Sequence, residues 1–193
     1  KEIIPKYWGA DLEIQVLSPM HKGTLGTAQL NQLLQEGLNP NAKHGQSLVL
    51  NQRKFYVGDR VIHKKNNYDL DVYNGDIGKI VALDSVEQTL EVEFKVGKND
   101  RVVKYEKENL LELDLAYTIS IHKSQGSEFD VVLIPLATQH FTLLNRNLIY
   151  TGLTRAKKLV IFLGSRRALA MAVNNVEQNK RQTLLRERLM GLV

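Results

Sequence analysis

Cysteine is absent from the 193 residues, which removes disulfide frameworks, thiol nucleophiles, zinc–thiolate sites and iron–sulfur clusters together. That absence suits a reducing compartment. Long apolar runs are missing too: Val131-Val132-Leu133-Ile134 is among the longest, far short of a membrane span. Lys1-Glu2-Ile3-Ile4-Pro5 lacks the apolar core of a signal peptide. A cytoplasmic protein with no membrane partner is the expectation. No phosphate-cradling G-x-x-x-x-G-K-[ST] occurs, because Gly78-Lys79 and Gly97-Lys98 both lack the earlier Gly and the following Ser or Thr. No apolar strand ends in the Asp-Glu pair that holds magnesium in nucleotide hydrolases. The chain alone is therefore expected not to hydrolyse ATP. It begins at Lys1, without Met, and reads as a piece of a longer protein.

What remains is the composition of a folded protein, 43% apolar and 24% charged, without repeats or low-complexity tracts. Lys and Arg number 26 against 21 Asp and Glu, a net charge of +5, and its distribution is uneven. Residues 54–112 hold ten basic and twelve acidic side chains, whereas Arg146 to the C-terminus holds ten basic and two, Glu177 and Glu187. Such an excess attracts polyanions such as a phosphate backbone; a solvated basic helix or a subunit contact is the plainer reading.

Three textures follow one another. Glu13 to Leu17 reads as a strand, and Thr24 to Gln35 as an amphipathic helix with Leu25, Leu30, Leu33 and Leu34 near one face. Gly37 and Pro40 stand where a helix stops, and the polar stretch from Asn39 to Gln52 reads as a linker. From Phe55 to about Leu113 the period becomes two, clearest where Leu90, Val92, Phe94 and Val96 alternate with Glu91, Glu93 and Lys95. Several short strands separated by tight turns suggest a small β-barrel. Beyond Leu113 strands and helices alternate again, with strands at Tyr117–Ile121, Asp130–Leu136 and Leu159–Leu163. The pattern implies a parallel sheet interrupted by an inserted module.

Two clusters stand out. Ser120-Ile121-His122-Lys123-Ser124-Gln125-Gly126-Ser127-Glu128 follows a buried strand, so its polar groups are expected at the strand's carboxyl end, where open α/β sheets bind ligands. A plain polar loop is the alternative. The second cluster, Asn147 to Lys158, falls largely on a helix expected at Arg146 to Arg155, which turns Thr151, Thr154 and Arg155 to one polar side. Arg155 there is either a cap on the helix dipole or a guanidinium aimed at a transferring phosphate. Physics alone leaves both open.

SIHKSQGSEFD followed by LIYTGLTRAKKLVIF resembles motifs V and VI of the superfamily-1 helicases, specifically the RecD-like group that includes exodeoxyribonuclease V alpha chains. QVLSPMHKGTLGTAQLNQLLQ resembles the motif IV region, and FYVGDRVIHKKNNYDLDVYNGDIGKIVAL the SH3-like barrel these proteins insert. The resemblance implies a RecA-like parallel-sheet domain, the second motor domain of a P-loop helicase, at 1–53 and 113–193, with the barrel at 54–112. It implies ATP with Mg2+ as cofactor, bound mainly by an N-terminal RecA-like domain, and single-stranded DNA as partner. Arg155 takes the position of the arginine finger. Gly126, Glu128, Gln125 and Lys22 fall on the nucleotide side, Gln125 coupling it to the strand; Ser120, His122, Lys123 and Thr151 fall on the nucleic-acid side. Ser120 stands where the family usually has Thr, which keeps the hydroxyl and loses a methyl. In the barrel, Phe55, Tyr56, Tyr68, Tyr73, Phe94 and Tyr105 are the aromatics available for stacking, and His63-Lys64-Lys65 is a local basic patch. Rival readings are a nucleic-acid-binding module without motor activity and a subunit-interaction domain of a multisubunit exonuclease.

Overall fold

The structure, a computed structural model, describes residues 12–51, 53–96, 99–138, 144–175 and 188–190. The basic side chains Lys180, Arg181 and Arg186 of the C-terminal excess lie outside the described residues. Four strands form a parallel sheet in the order β11-β10-β1-β9: β1 (Ile14–Ser18), β9 (Thr118–Ser120), β10 (Phe129–Leu136) and β11 (Ala156–Gly164). The apolar runs that make these strands bury Leu17, Ile119, Val132 and Ile134 almost completely. Each such side chain contributes about 1.5–3 kcal/mol. Helices α3 (Arg146–Leu153) and α4 (Arg166–Asn174) cover this core with Leu148, Ile149, Ala168 and Ala172.

Between β1 and β9 runs the rest of the chain. An antiparallel sheet in the order β7-β6-β5-β4-β8 comprises β4 (Arg60–His63), β5 (Ile77–Asp84), β6 (Thr89–Val96), β7 (Asn99–Tyr105) and β8 (Leu113–Leu115). Its last strand lies past residue 112. The period of two in β6 works as expected, with Leu90, Val92 and Phe94 in a second core and Lys95 exposed. That core also takes Phe55 and Tyr105, and Tyr56 is buried, so four of the six barrel aromatics are unavailable for stacking. Tyr68 and Tyr73 remain exposed and meet edge to face. His63 is fully buried, which removes it from the basic patch and leaves Lys64 and Lys65.

Two further expectations are corrected. The stretch read as a linker holds regular structure from Asn39 to Asn51: α2 (Asn41–His44) leads into β2 (Ser47–Leu50), which pairs with β3 (Arg53–Tyr56). Helix α1 (Thr27–Leu38) also turns a different face inward. Its buried side chains are Thr27, Asn31 and Gln35, followed by Asn39 one turn on, while Leu33 is 52% exposed. The helix packs against backbone groups that need partners, and a polar stripe at a spacing of four supplies them. Asn31 donates to the carbonyls of Leu115 and Thr118 and accepts from the Thr118 amide. Leu25, Leu30 and Leu34 instead line an apolar groove of about 550 Å³ beside Leu133 and Leu163.

Asp59 joins the two sheets. Its carboxylate is wholly buried and accepts four hydrogen bonds, from Gln35 and Asn39 of α1 and its cap, the Tyr117 hydroxyl and the Tyr56 amide, at 2.5–2.9 Å. Four donors leave no place for a carboxyl proton, although burial pushes its pKa upward. Losing any one of these charge-assisted bonds costs about 1.5–3 kcal/mol.

His63 makes stability depend on pH. Its Nδ1 lies 3.1 Å from the Tyr105 hydroxyl, and burial lowers its pKa from 6.5, against the opposing pull of Glu112 and Asp76. A lowered folded pKa means the native state binds the proton more weakly than the unfolded chain, so stability falls as pH drops below about 6.5. The melting temperature should decline from pH 7 to 5.5 and decline less in His63→Gln; equal slopes would refute the assignment.

Candidate nucleotide and nucleic-acid interface

The loop after β9 is a chain of tight turns. Ser120 Oγ accepts the Lys123 amide at 3.2 Å, and buried Ser124 donates its hydroxyl to the Ile121 carbonyl at 2.7 Å. Gln125 N–H reaches the His122 carbonyl and Ser127 N–H the Ser124 carbonyl. Gly126 sits at φ +90, a conformation that side chains resist. With Ile121 and Ser124 turned inward, His122, Lys123, Gln125 and Glu128 are presented to solvent.

This loop does not stay at one end of the sheet. Strands β9 and β10 both run parallel to β1, so residues 121–128 must carry the chain from the carboxyl end of one to the amino end of the other. Only Ser120 to Lys123 keep the expected position at a carboxyl end. Ser127 and Glu128 lie at the amino end of β10.

Arg155 lies at the amino end of β11. Helix α3 is capped by Asn145, whose side chain accepts the Leu148 amide at 2.8 Å, and it seats on the sheet through Leu148, Ile149 and Gly152. Immediately past its end, the Arg155 guanidinium donates from Nε to the Thr151 carbonyl (3.3 Å), from Nη1 to the Ser127 carbonyl (3.1 Å) and from Nη2 to Thr154 Oγ1 (3.2 Å). Among the described residues these bonds use three of five N–H donors and leave one on each terminal nitrogen. The Phe129 amide returns a bond to the Arg155 carbonyl at 2.9 Å. The two motif-like clusters, far apart in sequence, are thus clipped together around Arg155, with Gly126 and Glu128 flanking the Ser127 contact.

A second feature lies on the other side of edge strand β9. A groove of about 760 Å³ is bounded by the loop after β1, α1, α2, β3, β8 and the start of the Ser120 loop. Lys22, Lys43, Arg53, Lys54 and Lys123 line it against Glu36 and Asp114. Arg53 pairs with Asp114 at 3.1 Å. Nearby, burial lowers the pKa of Lys64, Asp114 pulls it up, and Arg53, Lys123 and Lys65 lower it. The structure therefore brings Ser120 and Lys123 together with Lys22, and sets His122, Gln125 and Thr151 outside this groove. Thr151 donates its hydroxyl to the Asn147 carbonyl and touches Arg155 through its own carbonyl. Lys43, Arg53 and Lys54 were not anticipated, because the segment carrying them reads as linker and barrel; only their charge signalled them.

Among the described residues no group of three or more His, Asp or Glu side chains is placed to hold a metal ion. Among the described residues no helix is long and apolar enough to cross a membrane.

The parallel sheet with its inserted antiparallel module has the fold of a helicase motor domain. Over 100% of the chain and 46% of the other, it superposes on the Pif1 helicase from Bacteroides, solved with ADP-AlF3 and single-stranded DNA, at a TM-score of 0.63 and 19% identity. Residues 30–94 match the SH3 domain of ATP-dependent RecD-like DNA helicases, and residues 115–163 match the UvrD-like helicase C-terminal domain. The ATP-dependent RecD2 DNA helicase of Deinococcus radiodurans is 34% identical over 91% of this chain and 23% of its own length. The RecBCD enzyme subunit RecD of Buchnera aphidicola is 31% identical over 75% of this chain and 23% of its own length. The chain belongs to the RecD-like superfamily-1 helicases and carries their RecA-like C-terminal domain with its SH3-like insertion. It spans about a quarter of the length of these relatives.

Gly152 lets α3 sit close enough to place Arg155: a Cβ there would come within 2.8 Å of Ile134 Cδ1 and 3.5 Å of Ile121 Cδ1. Gly152→Val is expected to cost about 1–3 kcal/mol by overpacking. Thermal denaturation should register the loss, and an unchanged melting temperature would contradict the tight seat.

Proposed function

We propose that this chain is the second motor domain of an ATP-dependent DNA helicase, acting with a P-loop domain of the same protein. The observation that carries the reading is Arg155, a guanidinium held by three protein acceptors with one N–H left on each terminal nitrogen. That donor set fits an incoming phosphate, to which arginine presents two parallel N–H bonds. The side chain is fixed beforehand, so little ordering entropy opposes the contact. Its helix-capping bond to Thr151 does not compete with this role, since the capping uses Nε.

In this reading ATP supplies the phosphoanhydride whose cleavage drives the cycle, and the P-loop domain provides the phosphate cradle and the carboxylates for magnesium. Arg155 stabilises charge as it builds on the transferring phosphoryl group. Gly126 and Glu128 shape the surface beside it, and Gln125 lies on the crossover between the two candidate surfaces. Without a phosphate cradle of its own, the chain does not turn over ATP.

Single-stranded DNA is assigned to the basic groove, with Ser120 and Lys123 at one wall and Lys22, Lys43 and Lys54 at the others. A groove of that volume with five cations and two carboxylates favours a phosphate backbone. His122 and Thr151 remain candidates for contacts beyond it.

Two measurements test the reading. Arg155→Ala in the full-length protein should lower ATPase turnover by on the order of 10³-fold; a turnover close to wild type would refute the finger. Lys54→Ala and Lys123→Ala should each reduce the salt dependence of single-strand binding by about 0.7 in the log–log slope. Unchanged slopes would remove the groove from the binding surface.

A further inference from the structure

Asp59 and Arg60 are consecutive residues at the start of β4, and they grip the motor sheet from opposite sides. Asp59 holds α1 and Tyr117 through the four bonds described above. Arg60 reaches under the amino end of the parallel sheet. Its Nη2 pairs with Glu13 Oε1 at 2.7 Å, its Nη1 reaches the Ile14 carbonyl at 3.5 Å, and its guanidinium lies 6.0 Å from the centre of the Phe129 ring. The Arg60 carbonyl accepts the Ala116 amide at 2.8 Å.

Phe129 is the residue whose amide holds the Arg155 carbonyl. A cationic side chain of the barrel therefore lies over the ring, at cation–π range, of the very residue whose amide holds the backbone of the candidate finger. Only Ala116 and Tyr117 separate the last barrel strand from β9, and Ala116 is completely buried. The joint has no slack. Its contacts are a desolvated carboxylate and a guanidinium held by Glu13 within cation–π reach of Phe129.

We propose that Asp59 and Arg60, with Tyr117, form a joint that makes the barrel a positioning element for Arg155, so that a DNA strand engaging the barrel and groove sets the finger's readiness for phosphoryl transfer. Arg60 acts through Phe129, and Asp59 acts through Tyr117 and β9. Neither touches nucleotide or DNA; both are positioning residues. The inference rests on the helicase reading above and adds to it the route by which strand binding governs the nucleotide side.

The experiment uses the full-length helicase with Arg60→Met, which keeps the apolar stem, and Tyr117→Phe, which removes a single hydroxyl. ATPase turnover is measured with and without a single-stranded oligonucleotide, alongside oligonucleotide affinity and melting temperature. DNA-stimulated turnover should fall about tenfold in Arg60→Met. DNA-free turnover, the KM for ATP and oligonucleotide affinity should stay within about twofold, the split expected of a coupling residue rather than of a merely structural one. Full stimulation in both variants overturns the joint. So does a loss that falls equally on DNA-free turnover and affinity, the signature of general destabilisation. Amide exchange on the wild-type protein gives a reading independent of the variants: the Phe129 amide should be slowed by the oligonucleotide, and unchanged exchange counts against the proposal. A wild-type protein without any DNA-stimulated ATPase would overturn the helicase reading itself, whereas normal wild-type stimulation that the variants preserve overturns this inference alone.

Discussion

A carboxylate removed from water must be repaid in hydrogen bonds, and Asp59 is repaid four times over by groups from three parts of the chain. Much else follows from that requirement. It explains why α1 buries amides in place of leucines, why Tyr117 points where it does, and why the turn before β4 is tight enough for the Tyr56 amide to join in. A helix that satisfied only the hydrophobic effect would have rotated its leucines inward. Here the polar stripe wins: an unpaired buried charge costs about 3–5 kcal/mol, while Leu30 and Leu34 keep partial apolar cover in the groove.

The second organising constraint is the parallel direction of β9 and β10. A connection between parallel strands has to cross the sheet, so the polar loop cannot gather all its side chains at one edge. Its first part borders the basic groove, and its last part holds Arg155. Eight residues thus join two separate surfaces, the basic groove and the setting of Arg155. Ser124, tied down in the middle, keeps this crossover short and stiff.

Most of the architecture was legible because its signals are local. The alternation of Leu90, Val92 and Phe94 dictates a half-buried strand, and the apolar run of β10 dictates a buried one, whereas β11 at the sheet edge is only partly covered. The clip between Ser127 and Arg155 was not legible, since no periodicity links residues so far apart; the resemblance to helicase motifs had only put Gly126, Glu128 and Arg155 on one side. Two further features escaped. The inward face of α1 was misread because an apolar stripe was sought, although Thr27, Asn31, Gln35 and Asn39 recur at steps of four in plain view. The segment from Asn39 to Gln52 looked like a linker because its strand is short and pairs with the next one across a tight turn, a contact that residue types alone do not announce.

The placement of the barrel within the motor sheet also orders events in time. Strand β1 finds both of its neighbours in the last part of the chain, with Gln15 and Tyr117 in contact although 102 residues apart. During synthesis β1 emerges before either neighbour, and the barrel's strands follow it before β9 does. The barrel's own pairings are mostly hairpins, and local pairings form fastest. Once β4 and β8 meet, Arg60 stands beside Ala116 and the long excursion between β1 and β9 is already partly closed. The pairing of β4 with β8 thus shortens the loop that must close before β9 can lie beside the first strand.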